Sequence, residues 1–394
     1  MNLVLRQASQ FVLSKKLPSY HRFLFKQYDL KDRLVGIRGA RGSGKTTLML
    51  QYAHACGVPL SKIFYVACDH PAMVGESLYE LALEFYQEGG KLLLIDEIHK
   101  AKDFAQALKA IYDTFELQVV FSGSSALQIS QQATDLSRRA VLFHLPVLSL
   151  REYMEIETGL TFKPVSLTEL IEHHQDIAYE YTKELRPIEY FNRYCLNGAY
   201  PFYQESAENY PLKLLEVINH TIDVDLTSIF NIDPSKRDKL KKVLYMLCTT
   251  PPLEINKVKL SAAVETSWPT LTKYLELMQA GDLVYSLRAS SGMRSVNKPD
   301  KLLLNNPNLF NVLCASANPG SLRESFFVSQ VKQSHQVHYY DQGDFIVDDT
   351  WVFEIGGRSK TTQQLNQQHG YLALDGIETG DGQRIPLWMF GLLY

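Results

Sequence analysis

The stretch from Gly39 to Thr46, GARGSGKT, constrains this chain more than any other feature of its sequence. It fits the pattern G-x-x-x-x-G-K-[ST], whose glycines let successive backbone N–H groups turn toward one anion. An apolar run from Leu34 to Ile37 precedes it, and apolar residues at helical spacing follow from Thr47 to Ala53. This order of strand, loop and helix predicts a phosphate-binding loop, which makes a nucleotide the first ligand to expect.

The residue types of the loop have separate predicted roles. Lys45 reaches the β- and γ-phosphates, and the Thr46 hydroxyl binds Mg²⁺. The positive end of the following helix adds to the field around the phosphates. The predicted ligands are therefore ATP and Mg²⁺. The predicted nucleotide contacts are Gly39, Ala40, Arg41, Gly42, Ser43, Gly44, Lys45, Thr46 and Thr47.

Further along the chain, an apolar run from Leu92 to Ile95 ends in the carboxylates of Asp96 and Glu97. A strand buried on both faces of a parallel sheet is apolar throughout, and ligands bind at its carboxyl end. We therefore expect a Walker B strand, with Asp96 beside the Mg²⁺ ion and Glu97 orienting and deprotonating the attacking water. The alternative is a pair of solvated acids, and the phosphate loop upstream favours the Walker B interpretation.

Another short strand, Leu117 to Phe121, ends in a run of small residues that begins at Ser122. P-loop ATPases with a glutamate after the Walker B aspartate carry a sensor of the γ-phosphate or the water at this place. Ser124 or Ser122 matches that sensor here. The other interpretation is a serine N-cap for a helix over residues 126–132, and one residue type suits both roles.

Two arginines, Arg138 and Arg139, precede an apolar strand from Val141 to Leu145. An arginine here would stabilise charge on the transferring phosphoryl group, either in cis or from a neighbouring subunit. Paired arginines on a solvated surface are the alternative. Arg139 is the predicted catalytic helper, together with Lys45, Glu97 and Ser124, and its action in trans would require the protein to assemble.

The composition of the 394 residues narrows the class of protein. The net charge of -3 gives no global bias toward nucleic acid, so any such contact needs a local patch. No apolar stretch reaches the length of a membrane span, and the N-terminus lacks the apolar core of a signal peptide. The five cysteines are scattered without a C-x-x-C pair, which predicts reduced thiols and a cytoplasmic location.

Strand and helix patterns alternate up to residue 145, which predicts an α/β fold with a parallel sheet. With its helical lead-in, this P-loop ATPase core spans residues 1–145. Helical spacing then dominates residues 146–235, which we interpret as a lid that closes over the nucleotide. Three helices and a hairpin are expected over residues 236–300, and this order is typical of a winged helix.

The predicted recognition helix of the winged helix, Thr270 to Gln279, is poor in arginine. Ser267, Thr270 and Lys273 are expected to face outward, but the negative charge of Glu276 disfavours contact with DNA bases. Basic residues in the wing and at its exit favour contact with a DNA backbone: Arg288, Arg294, Lys298 and Lys301. Winged helices also bind proteins, so DNA and a protein partner both stay open.

Together these motifs resemble a known family, the prokaryotic AAA+-type ATPases in which a winged helix and a C-terminal domain of the PD-(D/E)xK nuclease type follow the P-loop core. The resemblance covers nearly the whole chain. Besides the motifs above, it rests on LPVLSLREY from Leu145 to Tyr153 and on GAYP from Gly198 to Pro201. It implies an AAA+-like fold that ends in a small restriction-endonuclease-like α/β domain at residues 301–394.

The resemblance also implies an acidic constellation in that last domain, made of Glu324, Asp344 and Glu354. An active nuclease of this type needs a lysine two residues after the glutamate, where this chain has Gly356. Arg358 or Lys360 could swing in to replace it, but both lie beyond the strand register in which that lysine belongs, and an arginine cannot act as a base at neutral pH. We interpret the constellation as degenerate, so nuclease activity is not expected.

The sequence as a whole predicts an ATP-binding and ATP-hydrolysing protein. Its nucleotide state would reposition the winged helix and the nuclease-like tail, on DNA or on another partner. One alternative is a DNA nuclease that ATP regulates. The other is a nucleotide-dependent switch or scaffold that binds a protein partner.

Overall fold

The computed structural model describes residues 2–27, 30–123, 136, 138–226, 236–250, 253–254, 257–289, 301–361 and 370–394. The chain divides into two compact units, Met1–Val147 and Leu148–Tyr394. Each unit has its own set of buried apolar side chains. The finer division into four domains stays a prediction.

The first unit is built on a five-stranded sheet in the order β2-β3-β4-β1-β5, and every neighbouring pair is parallel. The strands are β1 Leu34–Arg38, β2 Ile63–Ala67, β3 Leu92–Asp96, β4 Gln118–Gly123 and β5 Val141–His144. The helices are α1 Leu3–Leu13, α2 Phe23–Gln27, α3 Lys45–Ala55, α4 Leu78–Gln87 and α5 Phe104–Thr114. The predicted α/β class and the parallel P-loop core are confirmed.

The strands of this sheet are apolar because both of its faces are covered. Leu92, Leu93 and Leu94 of β3 have no exposed surface. At Gly36 of β1 a Cβ atom would lie 2.4 Å from Cδ2 of Leu142, so a larger side chain does not fit between β1 and its neighbours. Near-continuous burial of this kind is what a parallel sheet between two helical layers requires.

The second unit begins with four helices, α6 Leu150–Thr158, α7 Leu167–Glu184, α8 Pro187–Asn197 and α9 Tyr210–His220. Ser149 and Glu152 form a reciprocal capping box that starts α6. These helices, which the sequence suggested as a lid, contact the C-terminal part of the chain. The backbone N–H of Leu150 donates to Gln330 Oε1 at 3.1 Å, and the ring of Phe191 lies edge-on to that of Phe326.

A smaller group of elements follows, made of α10 Arg237–Thr249, β6 Leu253–Glu254, α11 Lys257–Val264, α12 Trp268–Ala280, β7 Val284–Leu287 and β8 Lys301–Leu304. The three strands form an antiparallel sheet in the order β6-β8-β7. The hairpin therefore includes β8, which lies beyond the boundary predicted at residue 300. The reason is that β8 pairs along its whole length with β7.

The C-terminal elements form a second five-stranded sheet in the order β13-β12-β11-β10-β9. The strands are β9 Val337–Tyr339, β10 Phe345–Val347, β11 Trp351–Gly357, β12 Gly370–Asp375 and β13 Arg384–Pro386, preceded by α13 Asn308–Leu313 and α14 Pro319–Val331. Strands β9, β10 and β11 are antiparallel, while β11, β12 and β13 are parallel. Buried rings of Phe327, Phe353 and Phe390 contact one another beneath this sheet.

Two of the cysteines are joined, which corrects the expectation that the thiols are all reduced. Cys248 at the end of α10 and Cys314 after α13 form a disulfide, with Cα atoms 6.2 Å apart. Their separation of 66 residues gives no signal in the sequence, because the packing of the second unit brings them together. Cys56, Cys68 and Cys195 are free.

Within the described ranges, none of the helices combines the length and the apolar character that crossing a bilayer demands.

Candidate functional site

The phosphate loop predicted from Gly39 to Thr46 connects the end of β1 to the start of α3. Gly42 and Gly44 have φ angles of 81° and 99°, a region that favours glycine. A Cβ atom on Gly39 would lie 2.1 Å from the carbonyl oxygen of Leu145, so only glycine fits there. The three glycines therefore let the loop turn tightly at the carboxyl edge of the sheet.

Two side chains of the loop are buried in a way that suits an anion. Lys45 is almost fully buried, and its Nζ donates to the carbonyl oxygens of Gly39 and Ala40, both at 2.9 Å. The hydroxyl of Ser43 has no exposed surface and no hydrogen-bond partner among the described residues. A buried hydroxyl without a partner costs free energy, and a phosphate oxygen would satisfy it. Arg41 and Thr47 are partly exposed beside the loop.

Asp96, at the end of β3, is the centre of the site. Its Oδ2 accepts hydrogen bonds from the hydroxyls of Thr46 at 2.6 Å and Tyr65 at 2.9 Å. Its Oδ1 accepts from the hydroxyl of Ser122 and from the backbone N–H of Glu97. Asp96 is only 4% exposed, so these donors hold the carboxylate in one orientation.

The strand order explains why these side chains meet. β2 and β4 flank β3, Ala67 is level with Asp96, and the residue before Asp96 is level with Phe121. Ser122 therefore lies beside Asp96 at the same edge. Ser124, the other serine considered as a sensor, lies outside the described residues.

Tyr65 is a member of the site that sequence reasoning missed. It lies in the middle of β2, and its only signal in the sequence is a hydroxyl group within an otherwise apolar strand. Burial, together with the charge of Asp96, raises the pKa of Tyr65 well above its ordinary value. The hydroxyl therefore stays protonated and donates to the carboxylate.

Glu97 has an unusual backbone, with a φ angle of 49° in the left-handed region. This conformation is costly for a residue other than glycine and is often retained at functional sites. Its carboxylate is partly exposed and lies 3.4 Å from Nδ1 of the buried His99. His99, two residues further on, is a second site member that the sequence analysis did not identify.

A buried arginine, Arg22, donates hydrogen bonds to the phosphate loop and to the segment after β5. Arg22 donates to the carbonyl oxygen of Ser43 at 2.7 Å. It also donates to the carbonyl oxygens of Pro146 at 2.9 Å and Val147 at 3.1 Å. One guanidinium thus joins the phosphate loop to the end of the first unit.

Arg139 lies away from this edge. It forms a bidentate ion pair with Asp113 near the end of α5, at 2.8 and 3.0 Å. Because α5 leads into the start of β4, and Arg139 precedes the start of β5, both residues lie at the edge where the strands begin. The structure therefore does not favour a role in cis, and a role in trans stays a prediction.

A second cluster of charged residues lies within the second unit. Nζ of the buried Lys301 is 2.6 Å from Oε2 of Glu324 and 3.5 Å from Oδ1 of Asp344. The other oxygen of Asp344 accepts from the backbone N–H of Ile355 at 2.7 Å. Lys301 was predicted to extend from the exit of the wing toward DNA; it is instead buried by its partners.

The remaining acid of this cluster has its own lysine. Nζ of Lys360 lies 2.8 Å from Oε1 of Glu354. A Cβ atom on Gly356 would lie 2.4 Å from Cδ of Lys360, so the lysine stem occupies the space that a side chain at position 356 would fill. Lys360 therefore reaches Glu354 from beyond the strand register of the missing lysine, which is one of the two arrangements that the sequence left open.

Within the part of the chain that the structure describes, no three His, Cys, Asp or Glu residues are placed to hold a metal ion together. A phosphate-loop site does not need such a group, because Mg²⁺ in sites of this kind is held by one or two protein oxygens together with substrate phosphates and waters. Thr46 and Asp96 fit that requirement. The acids of the second unit do not converge as a shared metal site would require.

Comparisons with known proteins agree with the geometry of the first unit. Residues 31–154 match the AAA domain family. The match includes all five strands of the parallel sheet, the phosphate loop and Asp96, so this part of the first unit is similar to an AAA domain. Residues 188–319 match a domain of unknown function, DUF8612, which extends across the boundaries predicted at residues 235 and 300.

Two curated relatives are similar along most of the chain. An uncharacterized protein of Methanocaldococcus jannaschii is 26% identical, with 90% of this chain and 82% of the relative covered. An uncharacterized protein of Haemophilus influenzae is 24% identical, with 70% of this chain and 68% of the relative covered.

Two solved structures share weaker similarity. AMPPCP-bound DnaA from Aquifex aeolicus is 12% identical with a TM-score of 0.23, over 69% of this chain and 86% of that one. The Hsp104–ADP complex of S. cerevisiae is 16% identical with a TM-score of 0.32, over 70% of this chain and 41% of that one.

Proposed function

We propose that this protein binds ATP with Mg²⁺ at the carboxyl edge of the first sheet and hydrolyses it. The proposal rests above all on one contact, the 2.6 Å hydrogen bond between Thr46 and Asp96. This contact joins the phosphate-loop hydroxyl to the Walker B carboxylate, and these are the two protein oxygens that such a site offers to Mg²⁺.

The loop supplies the binding part of the proposed function. Backbone N–H groups from Gly39 to Thr47 receive the phosphates, and the Ser43 hydroxyl gains the acceptor that it lacks. Lys45 moves its hydrogen bonds from loop carbonyls to the β- and γ-phosphates. Thr46 and Asp96 would hold Mg²⁺, which neutralises charge on the phosphate oxygens.

Glu97 is the proposed catalytic base. It follows Asp96 directly, it is partly exposed, and its backbone is held in an unfavourable conformation. It would orient the attacking water and accept its proton as the water adds to the γ-phosphorus and the bond to ADP breaks. His99, whose Nδ1 lies 3.4 Å from Oε2 of Glu97, would help to orient the carboxylate. Ser122 orients Asp96, while Ser124 as a sensor and Arg139 as a helper in trans remain predictions.

The binding step is tested by calorimetry with magnesium-ATP. Lys45→Ala should weaken ATP binding by roughly 10- to 100-fold, because a charged hydrogen-bond donor to the phosphates is lost. Lys91→Ala is the matched control, since Lys91 is exposed and precedes β3 at the opposite edge. Absence of any binding heat in well-folded wild-type protein would overturn the proposal.

For the second unit we propose a winged helix followed by a degenerate nuclease-like domain. The winged helix is supported by the element order α10-β6-α11-α12-β7-β8 and by its three-stranded antiparallel sheet. The nuclease-like domain is supported by α14 packed on a mixed sheet that carries the predicted acids Asp344 and Glu354. Nucleotide state would reposition these modules on their partner.

The nature of that partner gives a second candidate function, a nucleotide-dependent switch that binds a protein. Exposed Ser267, Lys273 and Glu276 give α12 a nearly neutral outer face. Of the four basic residues predicted for the wing and its exit, Lys301 is buried, and Arg294 and Lys298 lie outside the described residues. Among the described residues, Arg288 is the one of these four whose side chain is exposed. Exposed Tyr245 and Val258 offer apolar contacts to a protein.

Measuring ATP turnover with and without duplex DNA separates the two partners. Stimulation by DNA that disappears in Arg288→Ala would favour DNA contact. Turnover that is indifferent to DNA, together with a protein that copurifies with the wild type and is lost in Val258→Asp, would favour the switch.

A further inference from the structure

Lys301 is a buried cation that comes from one sheet and is neutralised by acids of another part of the second unit. Its side chain is only 5% exposed, and it lies on β8 of the three-stranded sheet. Its partners are Glu324 on α14 and Asp344 just before β10. The ammonium also lies 4.7 Å from the ring centroid of Phe345. A buried ammonium is stable only when such partners surround it.

The charges of the cluster nearly balance without any added ion. Three carboxylates, Glu324, Asp344 and Glu354, face two ammonium groups, Lys301 and Lys360. Burial raises the pKa of Glu324 to about 7, although Lys301 partly offsets that rise. A divalent cation would therefore meet a cluster in which two ammonium groups already compensate most of the negative charge.

The positions of the oxygens also disfavour a metal ion. Asp344 uses one oxygen for Lys301 and the other for the backbone N–H of Ile355. Glu354 uses one oxygen for Lys360, and its Oε2 is a buried oxygen that has no hydrogen-bond partner among the described residues. Among these residues Oε2 of Glu324 also lacks a hydrogen bond, but Nζ of Lys301 lies 2.6 Å from it. Two such oxygens, one of them already beside an ammonium group, are fewer than a hard divalent cation needs from a protein site that lacks substrate phosphates.

We propose that Lys301 is the resident cation of this acidic cluster and takes the place of a divalent metal ion. The cluster is then a structural clamp that fastens β8, the last strand of the hairpin, to α14 and β10. Lys360, which lies across Gly356, supplies the counter-charge for Glu354 of β11. The C-terminal domain accordingly lacks metal-dependent nuclease chemistry, independently of whether the first unit hydrolyses ATP.

Counting bound Mn²⁺ tests the absence of a metal site. Full-length protein without nucleotide is titrated with Mn²⁺, and free Mn²⁺ is measured by electron paramagnetic resonance. We expect Asp344→Asn and Glu354→Gln to bind as many ions as the wild type, whatever the first unit contributes. Loss of one ion per chain in either variant would overturn the proposal, because the acids would then hold a metal that displaces Lys301.

A double-mutant cycle tests the clamp itself. Lys301→Met should lower the Tm by on the order of 10 °C, because the buried Glu324 and the partly buried Asp344 lose their counter-charge. Adding Glu324→Gln should restore more than half of that loss, since a neutral pair replaces an unpaired buried charge. Lys360→Met is the matched control, because its partner is Glu354 and Glu324→Gln should not restore its stability.

Additive effects of Lys301→Met and Glu324→Gln would contradict the clamp. If Lys301→Met does not fold, the double variant still decides the question. Its cooperative unfolding is the expected result, and its failure to fold would overturn the proposal.

Discussion

The hydroxyl of Thr46 and the carboxylate of Asp96 are joined by a 2.6 Å hydrogen bond, although fifty residues separate them in the chain. The bond connects the first turn of α3 to the end of β3. It places a hydroxyl and an acid, the two groups that a P-loop site offers to Mg²⁺, at one edge of the parallel sheet.

Glu97→Gln should abolish turnover while leaving ATP binding intact. The amide keeps the size of the side chain but cannot accept a proton from water, so kcat should fall by about 100- to 10,000-fold. Steady-state ATPase assays and calorimetry measure the two effects separately. Glu116→Gln, at an exposed position of the same unit, serves as the control. Equal turnover in Glu97→Gln and wild type would remove Glu97 from the catalytic role.

Tyr65→Phe should raise the Mg²⁺ concentration that gives half-maximal turnover by about 10-fold, because a hydrogen bond to a charged group is lost. The phenol at 2.9 Å holds Asp96 Oδ2 in the direction of Thr46. Tyr86→Phe is the control, since the ring of Tyr86 packs against Phe115 on the covering helices. An unchanged Mg²⁺ dependence in Tyr65→Phe would show that Asp96 does not need this donor.

Arg22→Met should destabilise the first unit by about 3 kcal/mol, because three buried carbonyl oxygens lose their donor. Urea unfolding followed by circular dichroism measures the change. Arg33→Met provides a comparison, since Arg33 also donates to two carbonyl oxygens but from an exposed position. Similar losses in both variants would mean that burial of Arg22 adds nothing.

Reduction of the disulfide between Cys248 and Cys314 should destabilise the second unit. Opening a link across 66 residues releases the unfolded chain and costs about 4 kcal/mol. Thermal unfolding with and without dithiothreitol detects the shift in Tm. Cys195→Ser should keep that response, and Cys248→Ser should lose it. A Tm that is insensitive to dithiothreitol in wild-type protein would contradict the bond.

The sheet of the first unit and its phosphate loop follow from the sequence because their physical demands leave few residue types. Strands buried on both faces have to be apolar, as Leu92 to Ile95 are. A backbone that turns at left-handed φ angles favours glycine, as at Gly42 and Gly44. These constraints act locally, so a pattern along the chain is enough to detect them.

Tyr65 and His99 could not be identified in the same way. The link from Tyr65 to Asp96 depends on β2 lying beside β3 in this register, which is a property of the whole sheet. His99 lies beside Glu97 because the backbone turns sharply after Asp96. Both contacts depend on packing that a motif pattern does not contain.

The charges of the second unit show the same limit more clearly. Spacing along the strand predicts that no lysine accompanies Glu354, because the position two residues later is Gly356. The structure instead brings Lys360 across that glycine to Glu354. Lys301 has the sequence context of an exposed wing, yet tertiary contacts with Glu324 bury it. Long flexible side chains reach partners that spacing alone does not reveal.

The first helices matter for anyone who wishes to isolate the nucleotide-binding unit. The match to the AAA family starts at residue 31, but Ser9 of α1 accepts a hydrogen bond from the backbone of Tyr65, and Leu5 is buried in the core. A fragment that begins at residue 31 would keep all five strands of the first sheet but would lose α1. The edge strand β2, against which α1 packs, would then be exposed. Truncations intended for crystallisation should therefore begin ahead of α1.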